Sequence, residues 1–191
     1  MTVVTTVLKK PADDIAEVLI DAARISSRVA ELGARIADDY ATSDLVLVSI
    51  LKGALPFLAD LMRAIPIHCS LDFLEVSSYG AGTTSTGVVR ILKDLARPIE
   101  GRDVLVIEDI LDTGHTLKYV MEHLRGQHPS SLRLCSLLDK PARRLVPIDI
   151  DYRGFEIDDK FVVGYGLDYA ERYRNLPFIG VLKPEVYSGA A

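Results

Sequence analysis

The chain has 191 residues, 49% of them hydrophobic, which suits one sizeable core and is short for two domains. Its 22 basic against 27 acidic residues give a net charge of -5, which weighs against a nucleic-acid or acidic-membrane surface. Cys69 and Cys135 both lie in apolar runs without CxxC or Cys/His spacing, a pattern of buried, reduced thiols and not of a zinc site.

Residues Met1 to Lys10 contain no apolar segment of the secretory kind, and the longest apolar stretch, near Leu45, stops at Lys52. The expectation is a cytoplasmic protein without a membrane span. Ile25, Val29, Leu32 and Ile36 recur at spacings of four, three and four, which predicts a one-sided helix over about Ala22 to Tyr40. The run from Leu45 to Leu51 is almost wholly apolar and suits a strand buried on both faces. Leu55, Leu58, Leu61, Met62 and Ile65 return to helical spacing, and Ile67 to Val76 reads as a second strand.

Ser77 to Gly87 holds three glycines among Ser and Thr with no apolar period, and is expected to be a mobile loop. Its Gly82 to Gly87 segment has the gap of a P-loop, but Val88 and Val89 stand where Lys and Ser or Thr belong. Val88 to Leu92 reads as a short strand. Val104 to Ile107 is a third buried strand, followed by an acidic turn and a helix with Leu117, Val120, Met121 and Leu124 on one face. Leu132 to Leu138 is a further strand, and short strands are expected beyond Ile148. Strands alternating with helices predict an α/β fold around a mainly parallel sheet, in one domain.

The densest chemistry is Val104 to Thr116. A buried strand ends in Glu108, Asp109 and Asp112, and Thr113-Gly114-His115-Thr116 opens a helix. Ligands of open α/β sheets bind beyond the carboxyl ends of the strands. Small and hydroxyl-bearing residues at a helix start let backbone amides converge on a phosphate, beside carboxylates that accept from sugar hydroxyls or hold a cation. On chemistry alone, an acidic strand-to-helix turn capped by Thr113 stays open as the alternative.

The same run resembles the phosphoribosyl pyrophosphate fingerprint of type I phosphoribosyltransferases: an apolar strand, two acids, two apolar residues, then Asp-Thr-Gly-x-Thr. Leu51-Lys52-Gly53, Ser77-Ser78-Tyr79-Gly80, Leu138-Asp139-Lys140-Pro141 and Phe161 to Tyr169 with Arg172-Tyr173-Arg174 are similar, in the same order, to the hypoxanthine-guanine branch of that family. The likeness spans about Leu45 to Tyr187.

The resemblance implies a doubly wound, mainly parallel sheet with helices on both faces and a small hood built from about residues 1–21 and 151–191. It implies transfer of the 5-phosphoribosyl group from phosphoribosyl pyrophosphate to hypoxanthine or guanine with Mg2+ as cofactor, and a homodimer or homotetramer with no nucleic-acid or membrane partner. In this reading Asp112 is the general acid/base at purine N7, and Glu108 and Asp109 face the ribose hydroxyls directly or through magnesium. The stretch Thr113, Gly114, His115, Thr116 and Leu117 holds the 5'-phosphate by its backbone. Lys52, Gly53 and Arg174 meet pyrophosphate. Lys140 addresses the O6 acceptor, Phe161 stacks on the base and Val162 hydrogen-bonds it. Asp168 is a further carboxylate on the metal side of the purine site, and Ser78 and Tyr79 belong to a lid. His115 is a mild departure, because some relatives carry Lys there. His68, His123 and His128 lie outside every motif. The competing readings are a regulator on the same fold that senses the same ligand while binding RNA or DNA, and an enzyme for another base such as xanthine; fold alone does not decide between them.

Overall fold

A computed structural model describes residues 10–78 and 89–188. In chain order its elements are β1 (Ile15–Ile20), α1 (Ala22–Asp39), β2 (Leu45–Leu51), α2 (Leu55–Ala64), β3 (Cys69–Ser78), β4 (Val89–Lys93), β5 (Asp103–Leu111), α3 (His115–Arg125), β6 (Ser131–Asp139), β7 (Tyr152–Glu156), β8 (Val162–Val163), β9 (Ile179–Leu182) and α4 (Pro184–Tyr187). Six strands form one sheet in the order β4-β3-β2-β5-β6-β7, and β1, β9 and β8 form a second, antiparallel one. Only β4 runs antiparallel in the large sheet.

The apolar runs make the centre of this sheet because each strand there has protein on both faces. Leu45 and Leu47, Leu105 and Ile107, and Cys135 and Leu137 join one buried cluster with α1 and α2. Their alternates Val46 and Val48, Val104 and Val106, and Leu134 join the other with α3. This is the period-two alternation of a strand, with apolar residues in both phases. Asp21 caps α1 by accepting from the Arg24 amide at 2.8 Å, and Ile25, Val29, Leu32 and Ile36 form its buried stripe.

From β2 the chain proceeds outward through β3 to β4, and from β5 outward through β6 to β7 on the other side. The order therefore reverses between β2 and β5. Loops leaving neighbouring strands to opposite faces open a crevice at such a reversal, on the carboxyl side.

Two expectations need correction. β7 pairs parallel with β6, Cys135 with Tyr152 and Asp139 with Glu156, so the large sheet continues past residue 151, where the hood was expected to begin. Tyr152 is fully buried and its hydroxyl donates to Asp39 at 2.6 Å, while Arg28 and Arg35 donate to the carbonyls of Arg153, Gly154 and Asp151. Ion and hydrogen-bond partners, rather than an apolar run, hold this edge strand. Ser77 and Ser78, expected in the loop, pair with Arg90 and Val89 as the end of β3. Tyr79 and the rest of the loop to residue 88 lie outside the described residues. No helix among the described residues is long and apolar enough to cross a membrane.

Helices α1 and α2 touch at Gly33, where an added Cβ would stand 2.5 Å from the Ala64 carbonyl oxygen and 2.7 Å from its Cβ. Gly33→Ala should therefore destabilise the fold. Helix propensity favours alanine by about 1 kcal/mol, but overpacking a filled contact costs about 1–3 kcal/mol. Urea unfolding with an unchanged m-value checks this, and a more stable variant would show that the helices separate freely.

Candidate active site

Register brings the chemistry-bearing residues to one edge. Ser49 pairs with Ile107 and Leu111 with Asp139, so Lys52, Glu108 to Asp112 and Lys140 all lie at or just past the carboxyl ends of adjacent parallel strands. The Lys140 amide donates to the Leu111 carbonyl at 3.0 Å, joining two of these ends directly.

Close backbone approach defines the crevice between β2 and β5. A Cβ on Gly53 would overlap the Asp109 carboxylate, and one on Gly166, at φ 101°, would overlap the Gly53 carbonyl. Gly53 is thus packed between Asp109 and Gly166, and the loop after β8 is seated on the end of β2. The Leu51-Lys52 peptide bond beside it is cis.

Glu108 and Asp109 are half-buried carboxylates with few donors. Asp109 accepts from the Ile110 amide at 2.8 Å. Oε2 of Glu108 is shielded and has no hydrogen-bond partner among the described residues. Burial, then the charge of Asp109, pushes Glu108 well above the usual carboxylate range. Burial also raises Asp109 to about 6, with Asp168 adding to the rise and backbone amides and Arg174 opposing it.

The acidic turn enters α3 through Gly114, at φ 90°, where a Cβ would stand 3.0 Å from the Val146 carbonyl oxygen. A side chain would be crowded as well as strained here, which explains the glycine. No side chain caps α3, so its first amides remain available to an anion at the helix start. His115 is exposed there, whereas Leu117 is buried in the core and can offer only its backbone.

A cavity of about 490 Å³ gathers Asp112, Lys140, Phe161, Val162 and Asp168, the five residues expected around a base. Lys140 is buried and donates to the Lys160 carbonyl at 2.5 Å, with Asp159 3.9 Å away. Burial lowers its pKa, against the opposing pull of Asp112 and Asp159. Phe161 is 42% exposed, stacks on Tyr187 at 4.9 Å and meets Tyr169 edge-on at 5.7 Å. Asp168 accepts from the Glu171 amide at 2.9 Å and pairs with Arg174 at 2.7 Å.

Several residues here were not singled out from the sequence. Arg143 donates to Asp112 Oδ1 at 3.1 Å. Arg144 donates to the Asp112 and Leu111 carbonyls at 3.0 and 3.2 Å and to Asp139 at 2.5 Å, clamping the acidic turn from β6. Glu171 bridges Lys52 at 3.3 Å and Arg174 at 3.2 Å, and those two cations hold its pKa below the usual range. The Arg-Arg pair after Lys140-Pro141 was the one visible hint, since two cations close to a strand end commonly serve an anion or a carboxylate turn.

The expected metal set of Glu108, Asp109 and Asp168 is only partly assembled. Among the described residues no three or more His, Cys, Asp or Glu side chains are grouped so as to hold a metal ion by themselves. Ser78 ends β3, and Tyr79 lies outside the described residues.

Residues 17–170 match a family model, the phosphoribosyl transferase domain. The crystal structure of a hypoxanthine phosphoribosyltransferase from Staphylococcus aureus is similar, with 54% identity and a TM-score of 0.89 over 92% of this chain and 95% of that one. The hypoxanthine-guanine phosphoribosyltransferase of Bacillus subtilis is 53% identical over 174 residues, 91% of this chain and 97% of the relative. The bifunctional protein TilS/HprT of Listeria monocytogenes is 51% identical over 176 residues, and the chain spans only 27% of its length.

The placement of Asp109 has a stability consequence. Its folded pKa of about 6 lies above the ordinary 3.8, so this carboxyl favours folding at pH below the ordinary value and that contribution is lost as pH rises through about 6. Asp109→Asn has no such charge to bury. In buffer with a chelator, it should melt higher than the parent at about pH 8, by about 1–2 kcal/mol or a few degrees, and the gain should shrink towards about pH 4. Melting temperatures across that range check the sign; a variant losing stability at the alkaline end would contradict the placement.

Proposed function

The chain belongs to the phosphoribosyl transferase family, and from that premise we propose that it is a purine-salvage enzyme joining hypoxanthine or guanine to phosphoribosyl pyrophosphate to give IMP or GMP and pyrophosphate. The observation that carries this reading is the cavity in which a carboxylate, Asp112, a donor-only ammonium, Lys140, and an aromatic ring, Phe161, converge beside the start of α3.

The base lies against Phe161, with its O6 accepting from Lys140 and with Val162 offering backbone hydrogen bonds. The N9 lone pair forms the bond to C1' of the ribose, the bond from C1' to pyrophosphate breaks with its electron pair leaving on pyrophosphate, and the N7 proton passes to Asp112. Arg143 keeps the Asp112 carboxylate in one orientation, and Arg144 fixes the backbone carrying it. The amides of Thr113 to Leu117 hold the 5'-phosphate at the helix start, and Thr113 and Thr116 add hydroxyls. The unpartnered oxygen of Glu108 accepts from the ribose hydroxyls, with Asp109 beside it. Lys52, Gly53 and Arg174 receive pyrophosphate, for which the guanidinium fork is well matched.

Magnesium would suit this donor set: Glu108 and Asp109 are carboxylates whose ionisation is disfavoured without a cation, Asp168 adds to the field at Asp109, and these residues would hold the ion without forming an all-protein cage. When bound it would supply positive charge that offsets these carboxylates and the pyrophosphate. Tyr79, which follows β3 in the sequence, keeps the expected role in a lid that excludes water from the ribosyl centre. We infer a cytoplasmic homodimer or homotetramer: both cysteines are free thiols, and Leu55 and Met62 are exposed one above the other on α2, suited to contact between copies. The hood is taken as β1 with the chain beyond β7.

Pyrophosphate release with hypoxanthine, guanine and adenine in turn, with magnesium and with a chelator, tests the whole reading. Activity should require the cation. Adenine presents an amino donor where the oxopurines present O6, so its kcat/KM should be at least about 10³-fold lower than that of hypoxanthine. Lys140→Ala should narrow the gap by losing oxopurine activity. Equal use of adenine and hypoxanthine, or full activity without magnesium, would overturn the assignment.

Asp112→Asn keeps shape and removes the proton acceptor. Turnover should fall by about 10² to 10⁴ with little change in phosphoribosyl pyrophosphate binding. Near-normal turnover at saturation would show that another group takes the N7 proton.

A further inference from the structure

Glu171 occupies an unusual position for an acid. It follows Asp168 in the loop between β8 and β9, and both it and Ala170 adopt left-handed backbone conformations, at φ 61° and 52°. Two successive non-glycine residues in that region are strained, so the surrounding contacts must hold them there. Asp168 does so by accepting from the Glu171 amide at 2.9 Å, and a bridge between Tyr169 and Arg172 closes the turn. The outcome is a carboxylate presented to Lys52 at 3.3 Å and Arg174 at 3.2 Å, side chains from residues far apart in the chain. Among the described residues Lys52 has no other ion-pair partner.

We propose that Glu171 is an internal counter-anion in the pyrophosphate subsite, occupying Lys52 and Arg174 in the free enzyme and competing with pyrophosphate for them. The proposal rests on the reading of those two cations as the pyrophosphate contacts. A single carboxylate and a polyanion cannot both neutralise the same pair, and the more highly charged ligand displaces the weaker one. The displacement is easy, because the Glu171 and Lys52 side chains are 67% and 61% exposed and such pairs are weak. The acid therefore lowers affinity without closing the subsite. Its return to the two cations as pyrophosphate departs opposes rebinding of the product.

The test is binding of inorganic pyrophosphate with magnesium to the parent and to Glu171→Gln, measured by calorimetry. Glu100→Gln, at an exposed acid outside the site, controls for net charge. Glu171→Gln should bind about 3- to 10-fold tighter, the scale expected for losing competition from two exposed ion pairs, and Glu100→Gln should match the parent. In a Lys52→Ala background the gain should shrink to about 2- to 3-fold, because only the Arg174 pair with Glu171 is left. Equal or weaker binding by Glu171→Gln would overturn the proposal and make the acid a support for the cations. An equal gain in Glu100→Gln, or an undiminished gain in the Lys52→Ala background, would reduce it to a general charge effect and also overturn it. If Lys52→Ala alone left pyrophosphate affinity unchanged, the subsite reading itself would fall, an outcome distinct from the failure of Glu171 alone.

Discussion

Two adjacent acids at the end of β5 set the terms for everything built around them. Glu108 and Asp109 sit where the sheet, the loop after β2 and the loop after β8 converge, and burial raises both pKa values because few donors compensate for lost water. The convergence is a matter of backbone clearance. Gly53 lies against the Asp109 carboxylate and Gly166 against the Gly53 carbonyl, so a side chain at either glycine would force the loops apart. Polar groups held at such expense in a crevice are a common mark of a ligand site, where the missing partners arrive with the substrate.

Rigidity around that crevice comes from ion pairs that add little net stability. Asp139 is almost fully buried and takes Arg144 at 2.5 Å and Arg153 at 2.9 Å. Buried pairs of this kind roughly offset their own desolvation. What they contribute here is position: Arg144 also reaches the carbonyls of Leu111 and Asp112, so the turn bearing the proposed proton acceptor is tied to the end of β6. The apolar layers on either face of the sheet supply the stability, while the proposed chemistry lies at its carboxyl edge.

This division explains what was legible in the sequence. β2, β5 and β6 stood out because strands buried on both faces must be apolar in both phases, and α1 stood out because its stripe recurs at helical spacing. The positions of the acids, the glycine turn and Lys140 at strand ends were readable because each comes directly at the end of an apolar run. β7 was not: Tyr152 to Glu156 contains Arg, Gly and Glu, and its place depends on Arg28 and Arg35 more than a hundred residues earlier. Arg143, Arg144, Glu171 and Tyr187 were missed for the same reason, since apolar periodicity reports burial and says nothing of a partner brought close only by folding.

Lys140 joins the two kinds of information. Its sequence position places it at a strand end, and the fold makes it costly, because burial lowers its pKa. An ammonium has three donors and no acceptor. One donor is already directed to the Lys160 carbonyl, and Asp159, at 3.9 Å, is beyond hydrogen-bonding distance. The group therefore enters the cavity with unspent donor capacity and cannot reverse its polarity to meet another donor. A hydroxyl or an amide at this position would accept or donate as required, and would tolerate an amino group as readily as a carbonyl. On the proposed reading, discrimination by the cavity would follow from a buried side chain that can only donate, set where the oxopurine oxygen would be the acceptor.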